Sequence, residues 1–406
     1  MRPRRALAVL AVLGAGCPSP SRPVTRPADK GSSDDDVRLA RLYSELQDDI
    51  LSSYDRDEPA ELGTGVIDPR IGAARIGAGP GDFYLAGDLA RAPSRWPLDV
   101  DRATRTEVRS KHLEIQISVD QSAGWMADEL SWRIEMCGRS AIIPLRITAL
   151  YAQDGDRWVP VVEHLSFGFS PAADAPPSRT IKTEAASGDL RDEMSGVLAR
   201  GLFRVPHDPS VVAQGAGALV LGPDIADEWH GRRVLEARLP PGTLEDRRVG
   251  LIGRNAVTAT IAYWVGNYIA SVPARGGVPA GKVRMRVSHV FERRWFDVPG
   301  GPVNERKSCH FTDEELRKDP EKVKKDIAEH CRWLLVQSHM SQSITDEDLT
   351  RLVFGTALIS PKPLQLDCTE GIRPSDPEPA MPAMPAATAP AAAPRPAASP
   401  RAGQNP

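Results

Sequence analysis

The segment RWVPVVEHLSFG (residues 157–168) returns 175 residues later as RWLLVQSHMSQS (332–343). In both segments an Arg-Trp pair is followed by a histidine six residues after the tryptophan and by a serine eight residues after it. The positions concerned are Trp158, His164 and Ser166, and then Trp333, His339 and Ser341. The pattern indicates either a catalytic signature used twice or the last strand of one fold built twice.

Three more pairs of similar segments occur in the same order in both halves of the chain. Each pair shares glycine, aromatic or polar residues at matching spacing. This order indicates a tandem duplication. The pairs are GPGDFYLAGDLA (79–90) with GAGALVLGPDIA (215–226), SAGWMADELSWRI (122–134) with IAYWVGNYIASVP (261–273), and PLRITALYA (144–152) with RMRVSHVFE (284–292).

The duplication predicts a first domain over residues 37–170, a linker over 171–189 and a second domain over 190–370. The second copy contains an insert at about 293–331, where the first copy has a short Asp-Gly-Asp turn. TDEELRKDPEKVKKDIAEHCRW within this insert predicts a charged surface helix that begins with a Thr-x-x-Glu capping box.

Each copy begins with an amphipathic helical pattern and continues with β-rich segments separated by turn signals. A helix followed by an antiparallel meander predicts an α+β domain, with the helix on one face of a curved antiparallel sheet. The helical stripes are Leu39, Leu42, Leu46 and Ile50 in the first copy, and Leu190, Met194, Val197 and Leu198 in the second.

The first 17 residues have the pattern of a secretory signal, with a basic MRPRR followed by apolar ALAVLAVLGAG and then Cys17. The small residues before Cys17 resemble the lipobox of bacterial lipoproteins. That resemblance implies lipidation of Cys17, and Pro18 after it favours the outer membrane. The alternative is ordinary cleavage after residues 14–16, which would release a soluble secreted protein.

Polar, proline-rich segments flank the two copies. Residues 18–36 are rich in proline, serine and then aspartate, and residues 371–406 form a Pro/Ala-rich tail. Neither segment has the apolar content of a packed core, so we expect a disordered tether and a disordered tail.

Four further cysteines can pair in an exported protein. Cys309 and Cys331 bracket the insert and are the candidate disulfide, while unpaired buried thiols are the alternative for these two and for Cys137 and Cys368. No cysteine or histidine spacing is typical of a metal site, so we expect no metal.

Composition and motifs exclude several classes of function. The net charge of -3 gives no reason to expect a nucleic-acid partner. No apolar run reaches the length of a membrane span. Phosphate-loop and dinucleotide patterns and a Gly-x-Ser-x-Gly elbow are absent from the sequence, so we expect no cofactor.

The repeated residues resemble the SnoaL-like branch of the nuclear-transport-factor-2-like superfamily. The resemblance lies in a first helix, a penultimate strand with Arg-x-Thr, an Asp-Gly turn and a last strand with Trp and His-x-Ser. Its residues are Arg146, Thr148, Asp154, Gly155, Trp158, His164 and Ser166 in the first copy, and Arg286, Ser288, Trp333, His339 and Ser341 in the second.

The resemblance implies two cone-shaped domains, each a bent sheet wrapped over helices with a pocket at its open end. Members of the superfamily include cyclases, isomerases, dehydratases and binding proteins, and they often pair through the outer sheet face. Two fused copies would then form an intramolecular pseudo-dimer.

Strand alternation suggests a polar set inside the cone. Arg146 and Thr148 share one face of their strand, and this face would meet the histidine face of the last strand. That face carries Trp158, Pro160, Val162, His164 and Ser166.

Two interpretations of this polar set remain open. In a pocket, Arg146 with His164, and Arg286 with His339, could bind a carboxylate or an enolate. Alternatively, the residues could satisfy one another as part of the scaffold, and their retention in both copies favours this structural interpretation.

If one copy is an enzyme, residue types point to the first. Its candidate catalytic residues are Asp82, Tyr84, Asp120 and His164. In the alignment above, Ala218 replaces Asp82 and Val220 replaces Tyr84. The alternative for Asp82 is a turn position after Gly-Pro-Gly.

The sequence thus predicts an exported, lipid-anchored envelope protein that binds a small molecule or a protein partner without robust catalysis. One alternative is an enzyme of the cyclase, isomerase or dehydratase type with its active site in the first cone. Another is a structural interaction scaffold that uses the insert as a docking surface.

Overall fold

The first described element is helix α1 (Asp34–Ser53), which buries the predicted stripe of Leu42, Leu46 and Ile50. The helix begins inside the segment predicted as tether, because its first turn consists of three aspartates that interact favourably with the helix N-terminus. The computed structural model describes residues 34–54, 73–79, 81–85, 96, 105–136, 139–167, 188–203, 207–215, 217–224, 226–237, 239, 242–252, 257–272, 281–298 and 301–344.

Six strands follow α1 and form the first sheet, in the spatial order β2-β1-β6-β5-β4-β3. We call residues 34–167 the first half. Its strands are β1 (Ala74–Ile76), β2 (Phe83–Leu85), β3 (Arg105–Ile117), β4 (Ala123–Met136), β5 (Arg139–Asp154) and β6 (Arg157–Phe167).

The second half, residues 188–344, begins with helix α2 (Gly188–Leu198) and a π-helical turn at Ala199–Phe203. Its sheet has the spatial order β8-β7-β13-β11-β10-β9, with β12 paired to β11 off this path. The strands are β7 (Leu219–Leu221), β8 (Glu228–His230), β9 (Gly242–Ile252), β10 (Ile261–Val272), β11 (Gly281–Phe296), β12 (Val303–Ser308) and β13 (Cys331–Ser341).

The two sheets share one connectivity, and the chain is α+β with most of its described residues in strands. The expectation of purely antiparallel sheets is wrong at one place in each half. The short strand β1 runs parallel to β6, and β7 runs parallel to β13. Parallel pairing is possible there because β1 and β6, like β7 and β13, are far apart in the chain.

Three groups of apolar side chains define the order of the layers. One group joins α1 to the first sheet, another joins α2 to the second sheet, and the third draws residues from both sheets. The layers therefore run α1, first sheet, second sheet, α2. The group between the sheets includes Ile76, Trp125, Leu150, Val161 and Val162 with Tyr263, Val265, Val290 and Val336.

A β-bulge at the same place in each half reverses the alternation of the last strand. Val161 is the extra residue of β6, and Val336 is the extra residue of β13. Trp158 therefore packs on the α1 side of its sheet, whereas His164 lies on the other face. The expectation that Trp158 and His164 share a face is wrong, because one added residue between them reverses the alternation of side chains between the two faces of the sheet.

The insert of the second half contains β12 and two helices, α3 (Asp313–Lys318) and α4 (Pro320–His330), instead of the one helix predicted. Thr312 and Glu315 form the predicted capping box of α3. Pro320 starts a new helix because a proline cannot continue the α3 hydrogen bonding, and Asp319 caps it. Cys309 and Cys331 form a disulfide that closes the insert.

Several sequence predictions lie outside the described residues. They are the signal peptide with Cys17, most of the tether, the linker up to residue 187, Cys137, Cys368 and the tail over residues 371–406. Within the described part of the chain, no helix is long and apolar enough to cross a membrane. The same part contains no group of three or more His, Cys, Asp or Glu side chains arranged to hold a metal ion.

Candidate functional site

The motif spacing that β6 and β13 share brings two histidines together between the sheets. His164 and His339 stack face to face, with 3.8 Å between ring centroids and 22° between ring planes. Neither ring is exposed to solvent. Because the bulges turn these residues away from the helices, they face the opposite sheet.

Each histidine is held by two hydroxyl groups of the other half. His164 Nδ1 is hydrogen-bonded to Ser288 Oγ at 2.9 Å, and its Nε2 is hydrogen-bonded to Ser341 Oγ at 2.7 Å. Both serines are buried. Ser288 comes from β11 and Ser341 from the end of β13, so two strands of the second half hold one ring of the first.

The arrangement around His339 is the counterpart. Its Nδ1 is hydrogen-bonded to Thr148 Oγ1 at 3.0 Å and its Nε2 to Ser166 Oγ at 2.9 Å. A hydroxyl can donate or accept, so each neutral imidazole, with one donor and one acceptor nitrogen, is satisfied in either tautomer. All four ring nitrogens of the pair are therefore occupied within the protein.

The surroundings keep both imidazoles uncharged. Burial is the main cause that places the pKa of His164 well below its usual value, and repulsion by His339 and Arg286 adds to it. The pKa of His339 is well below its usual value for the same reason, with added repulsion by Arg146 and Arg286. A proton on either ring would add a charge to a buried site that already contains two guanidinium groups.

The two motif arginines extend the contact to the turns of the opposite half. Arg286 donates from Nη1 to the Gly79 carbonyl at 2.7 Å and from Nη2 to the Ala78 carbonyl at 3.0 Å. Arg146 donates from Nη1 to the Asp224 carbonyl at 2.9 Å and lies 3.6 Å from Glu228. Each arginine thus binds the turn between the two short strands of the other half.

The predicted polar set therefore exists, but its location differs from the expectation of a pocket in each cone. The structure brings its members together between the two sheets, on the face away from the helices. Arg146 and Arg286 lie at the periphery of this set, and the histidines lie at its centre. The residues concerned are Arg146, Thr148, His164, Ser166, Arg286 and His339.

Asp82 shapes a turn, as the alternative interpretation of this residue stated. Its Oδ2 accepts a hydrogen bond from Gly79 N at 2.7 Å. In the second half, Asp227 Oδ2 accepts one from Asp224 N at 3.3 Å. Asp227 is therefore the counterpart of Asp82, and the alignment that placed Ala218 there is wrong.

The strand pairing gives the physical reason for this correction. Ile76 of β1 is the register partner of His164, and Leu221 of β7 is the register partner of His339. Counting from these partners, Tyr84 corresponds to Trp229. The glycine-rich similarity that suggested the other alignment relates turns that lie at different places in the fold.

Asp120, another candidate by residue type, holds a hairpin turn against the second half. Its carboxylate accepts hydrogen bonds from Ser118, Ser122 and Thr260. Beside it, Val119 N donates to Glu292 Oε1 of β11 at 2.8 Å. Asp120 therefore contributes to the contact between the halves.

A charged cluster at the edge of the sheets was missed by the sequence analysis. His230 Nδ1 lies 3.1 Å from Glu114 Oε2, and its Nε2 lies 2.5 Å from Glu228 Oε1. Hydrogen bonds to these two carboxylates raise the pKa of His230 to about 10. Glu114 belongs to the first half and His230 to the second, so no spacing along the sequence relates them.

Two cavities lined by described residues lie away from the histidine pair. A cavity of about 10 Å³, enough for about one water molecule, adjoins the cluster of Glu114, Glu228 and His230. A groove of about 780 Å³ runs along the second half beside α2 and the base of the insert. Neither is lined by His164 or His339.

Acid is expected to weaken the fold through the histidine pair. An unfolded histidine has a pKa of about 6.5, and both folded values lie below it, so the unfolded chain binds more protons in acid. The stabilising effect is therefore complete above about pH 6.5 and is lost as the pH falls below it, with a slope of up to about 2.7 kcal/mol per pH unit for two protons.

Urea unfolding between pH 8 and pH 4.5 measures this effect. The double variant His164→Asn/His339→Asn should show a flatter dependence on pH. His289→Asn removes a third buried histidine, bound to Ser338 within its own half, whose pKa burial lowers to about 3, so it should reduce the slope by about half as much as the double variant does. An unchanged slope in the double variant would contradict the assignment.

Arg286→Met should lower the free energy of unfolding by about 2–4 kcal/mol, because the Ala78 and Gly79 carbonyls lose a charged donor in a buried place. Arg286→Lys should lower the free energy of unfolding by less than Arg286→Met does, although one ammonium group cannot bind both carbonyls as the two guanidinium nitrogens do. Arg284→Met, on the same strand and partly exposed, should change it by less than about 0.5 kcal/mol. Equal losses for Arg286→Met and Arg284→Met in urea unfolding would refute the role given to Arg286.

Comparison with known proteins assigns no function to this chain. No protein-family model matches this chain, and no curated protein matches it. The SnoaL-like resemblance of the motif residues therefore remains a prediction, and the function has to be argued from the contacts described above.

Proposed function

We propose that this chain is an exported, lipid-anchored envelope protein that binds a small molecule or a protein partner without robust catalysis. In this proposal its two halves are SnoaL-like cones joined back to back as an internal dimer. The lipid on Cys17 would hold the molecule at the membrane surface, and the polar residues after it would serve as a tether.

The observation that carries the internal dimer and the lack of robust catalysis is the closed hydrogen-bond network of His164 and His339. Each ring nitrogen has a hydroxyl partner in the opposite half, and neither ring is exposed. A general acid or base needs a free position within reach of a substrate. These histidines have no such position, so they support joining of the halves.

The enzyme alternative is weaker because Asp82, Asp120 and His164, three of its four candidate residues, are held by hydrogen bonds within the protein. Asp82 binds the backbone of its own turn, and His164 binds Ser288 and Ser341. The repeated motif is then best explained as a contact surface that each copy needed in order to pair with the other.

Further contacts support the internal dimer. Gln337 Nε2 donates to the Met126 carbonyl at 2.9 Å, from one sheet to the other. Ile344, after the last strand of the second half, packs in the apolar group beneath α1 and donates from its backbone to the Ala78 carbonyl at 3.1 Å. The second half therefore completes the core of the first.

Separate expression of the halves tests the internal dimer. We expect fragments 34–170 and 188–370, which keep α1 and α2 whole, to be unstable alone, because each would expose the apolar and histidine-bearing face of its sheet. Co-expressed fragments should purify together in a 1:1 complex on size-exclusion chromatography. Two soluble fragments that do not associate would rule out the internal dimer.

Labelling with radioactive palmitate in a bacterial host tests the anchor. The wild-type chain should incorporate the label and sediment with membranes, whereas Cys17→Ser should do neither because the thiol is the acceptor for the lipid. Cys137→Ser serves as the matched control and should behave like the wild type. Labelling that persists in Cys17→Ser would disprove the proposed anchor.

A further inference from the structure

A short stretch at the start of β13 has backbone groups that face away from β11. Leu335 N donates to the Val211 carbonyl at 2.9 Å, and the Leu335 carbonyl accepts from Ala213 N at 3.0 Å. The backbone groups of Leu335 therefore point to the side opposite β11. In an antiparallel pair this orientation recurs at every second residue, so the N–H and the carbonyl of Trp333 point to the same side.

The partner strand gives the same result independently. Arg293 of β11 is the register partner of Trp333, and its N–H donates to the Thr260 carbonyl at 2.7 Å, on the side of β10. Arg293 and Trp333 therefore lie opposite each other without exchanging backbone hydrogen bonds. On the open side of β13, no described residue hydrogen-bonds to the backbone of Trp333. One donor and one acceptor of this strand thus remain open.

This open stretch of β13 forms one wall of the groove of about 780 Å³ in the second half. Trp333 and Leu334 line the groove together with Val197 of α2 and with Phe296 and Pro302 at the base of the insert. An unpaired strand edge beside apolar side chains is the arrangement by which a sheet accepts a peptide as an added strand. The backbone of the peptide binds the edge, and its side chains enter the apolar part.

The first half does not offer the same edge. Pro160 pairs with Tyr151 at the bulge of β6, as Leu335 pairs with Phe291 at the bulge of β13. A proline has no N–H, so Pro160 cannot make the bond that Leu335 N makes to Val211. The wall at the base of the insert has no equivalent either, because β5 and β6 are joined by a short turn. The groove is therefore a property of the second half.

Charges along the groove leave one cation for a ligand. Of the six charged side chains that line it, only Arg232 is exposed without a described ionic or hydrogen-bonding partner. The other five are Glu193 with Arg293, Arg200 with Asp208, Glu329 with Lys325, and Arg332 with carbonyl groups at the end of α4. A ligand with an acidic side chain would complement this arrangement.

We propose that this groove binds an extended peptide segment of a partner protein. One peptide residue presents its N–H and its carbonyl to the backbone of Trp333, while neighbouring apolar side chains pack between α2 and the base of the insert. An acidic side chain of the peptide pairs with Arg232. This inference rests on the proposed binding function and specifies its partner as an extended, apolar and acidic peptide.

Selection from a phage library of short random peptides tests the proposal on the full-length protein. We expect enrichment of peptides that combine a run of β-branched or aromatic residues with one aspartate or glutamate. A synthetic copy of the most enriched peptide then serves as the probe. A library from which no peptide is enriched, or only basic peptides are, would overturn the proposed partner.

N-methylation of the probe, one backbone position at a time, tests pairing with the strand. At one position the methyl group replaces the N–H that donates to the Trp333 carbonyl, so affinity should fall at least tenfold more there than at the two neighbouring positions. Fluorescence anisotropy of the labelled probe measures the affinity. A probe that tolerates methylation at every position does not bind as an added strand, and the proposal is then wrong.

A charge reversal tests the role of Arg232. Arg232→Glu should weaken binding of the acidic probe at least tenfold and should bind a probe with lysine in place of its acidic residue better than the wild type does. Arg233→Glu is the matched control, because Arg233 lies on the same 3-10 helix, does not line the groove and pairs with Glu236 at 3.6 Å. Both variants should keep the melting temperature of the wild type, since both arginines are exposed. Equal losses of affinity in the two variants would refute the contact with Arg232.

These outcomes are separate from those that test the proposed function. If the groove binds no peptide, or if binding ignores both the methylation and the charge reversal, the site is wrong although the anchor and the internal dimer can still be correct. Failure of palmitate labelling or of association between the halves would instead count against the proposed function.

Discussion

Two uncharged imidazoles, stacked between the sheets, fix how the two halves of this protein meet. His164 and His339 each require two hydroxyl partners, and all four come from the opposite half. A shift of one sheet across the other would leave buried ring nitrogens unpaired, at a cost of about 1–3 kcal/mol for each. The arginine contacts to the turns then follow from the same alignment of the sheets.

Much of the fold follows from local patterns in the sequence. The stripe of Leu42, Leu46 and Ile50 predicts α1 because three- and four-residue steps place apolar side chains on one helix face. Strand alternation predicts most long strands for a similar reason. Strand alternation fails at Val161 and Val336, where a bulge adds one residue that the amino-acid types in the segment do not reveal. Short strands such as β1 depend on distant partners and were not predicted.

The sequence predicted which residues form the candidate site but not where in the fold they lie. Repetition of the Arg, Thr/Ser, His and Ser positions identified the right residues, whereas the bulge decided which face of the sheet they occupy. Repetition also hid the groove beside α2, because a search for shared residues passes over segments that differ between the copies. His230 and Glu114 were missed for another reason, since only folding brings them together.

Covalent fusion of the two halves has a consequence for what each sheet can carry. In a dimer of identical chains, every substitution appears twice, so a buried charge or a long insert on one side must also be tolerated on the other. Here one gene encodes both sides separately. The histidine contact stays symmetric, while Val220 occupies in the second half the position that the buried Arg75 occupies in the first, and only the second half bears the disulfide-closed insert. Joining two copies in one chain thus allows each half to change independently of the other, which the subunits of a dimer of identical chains cannot do.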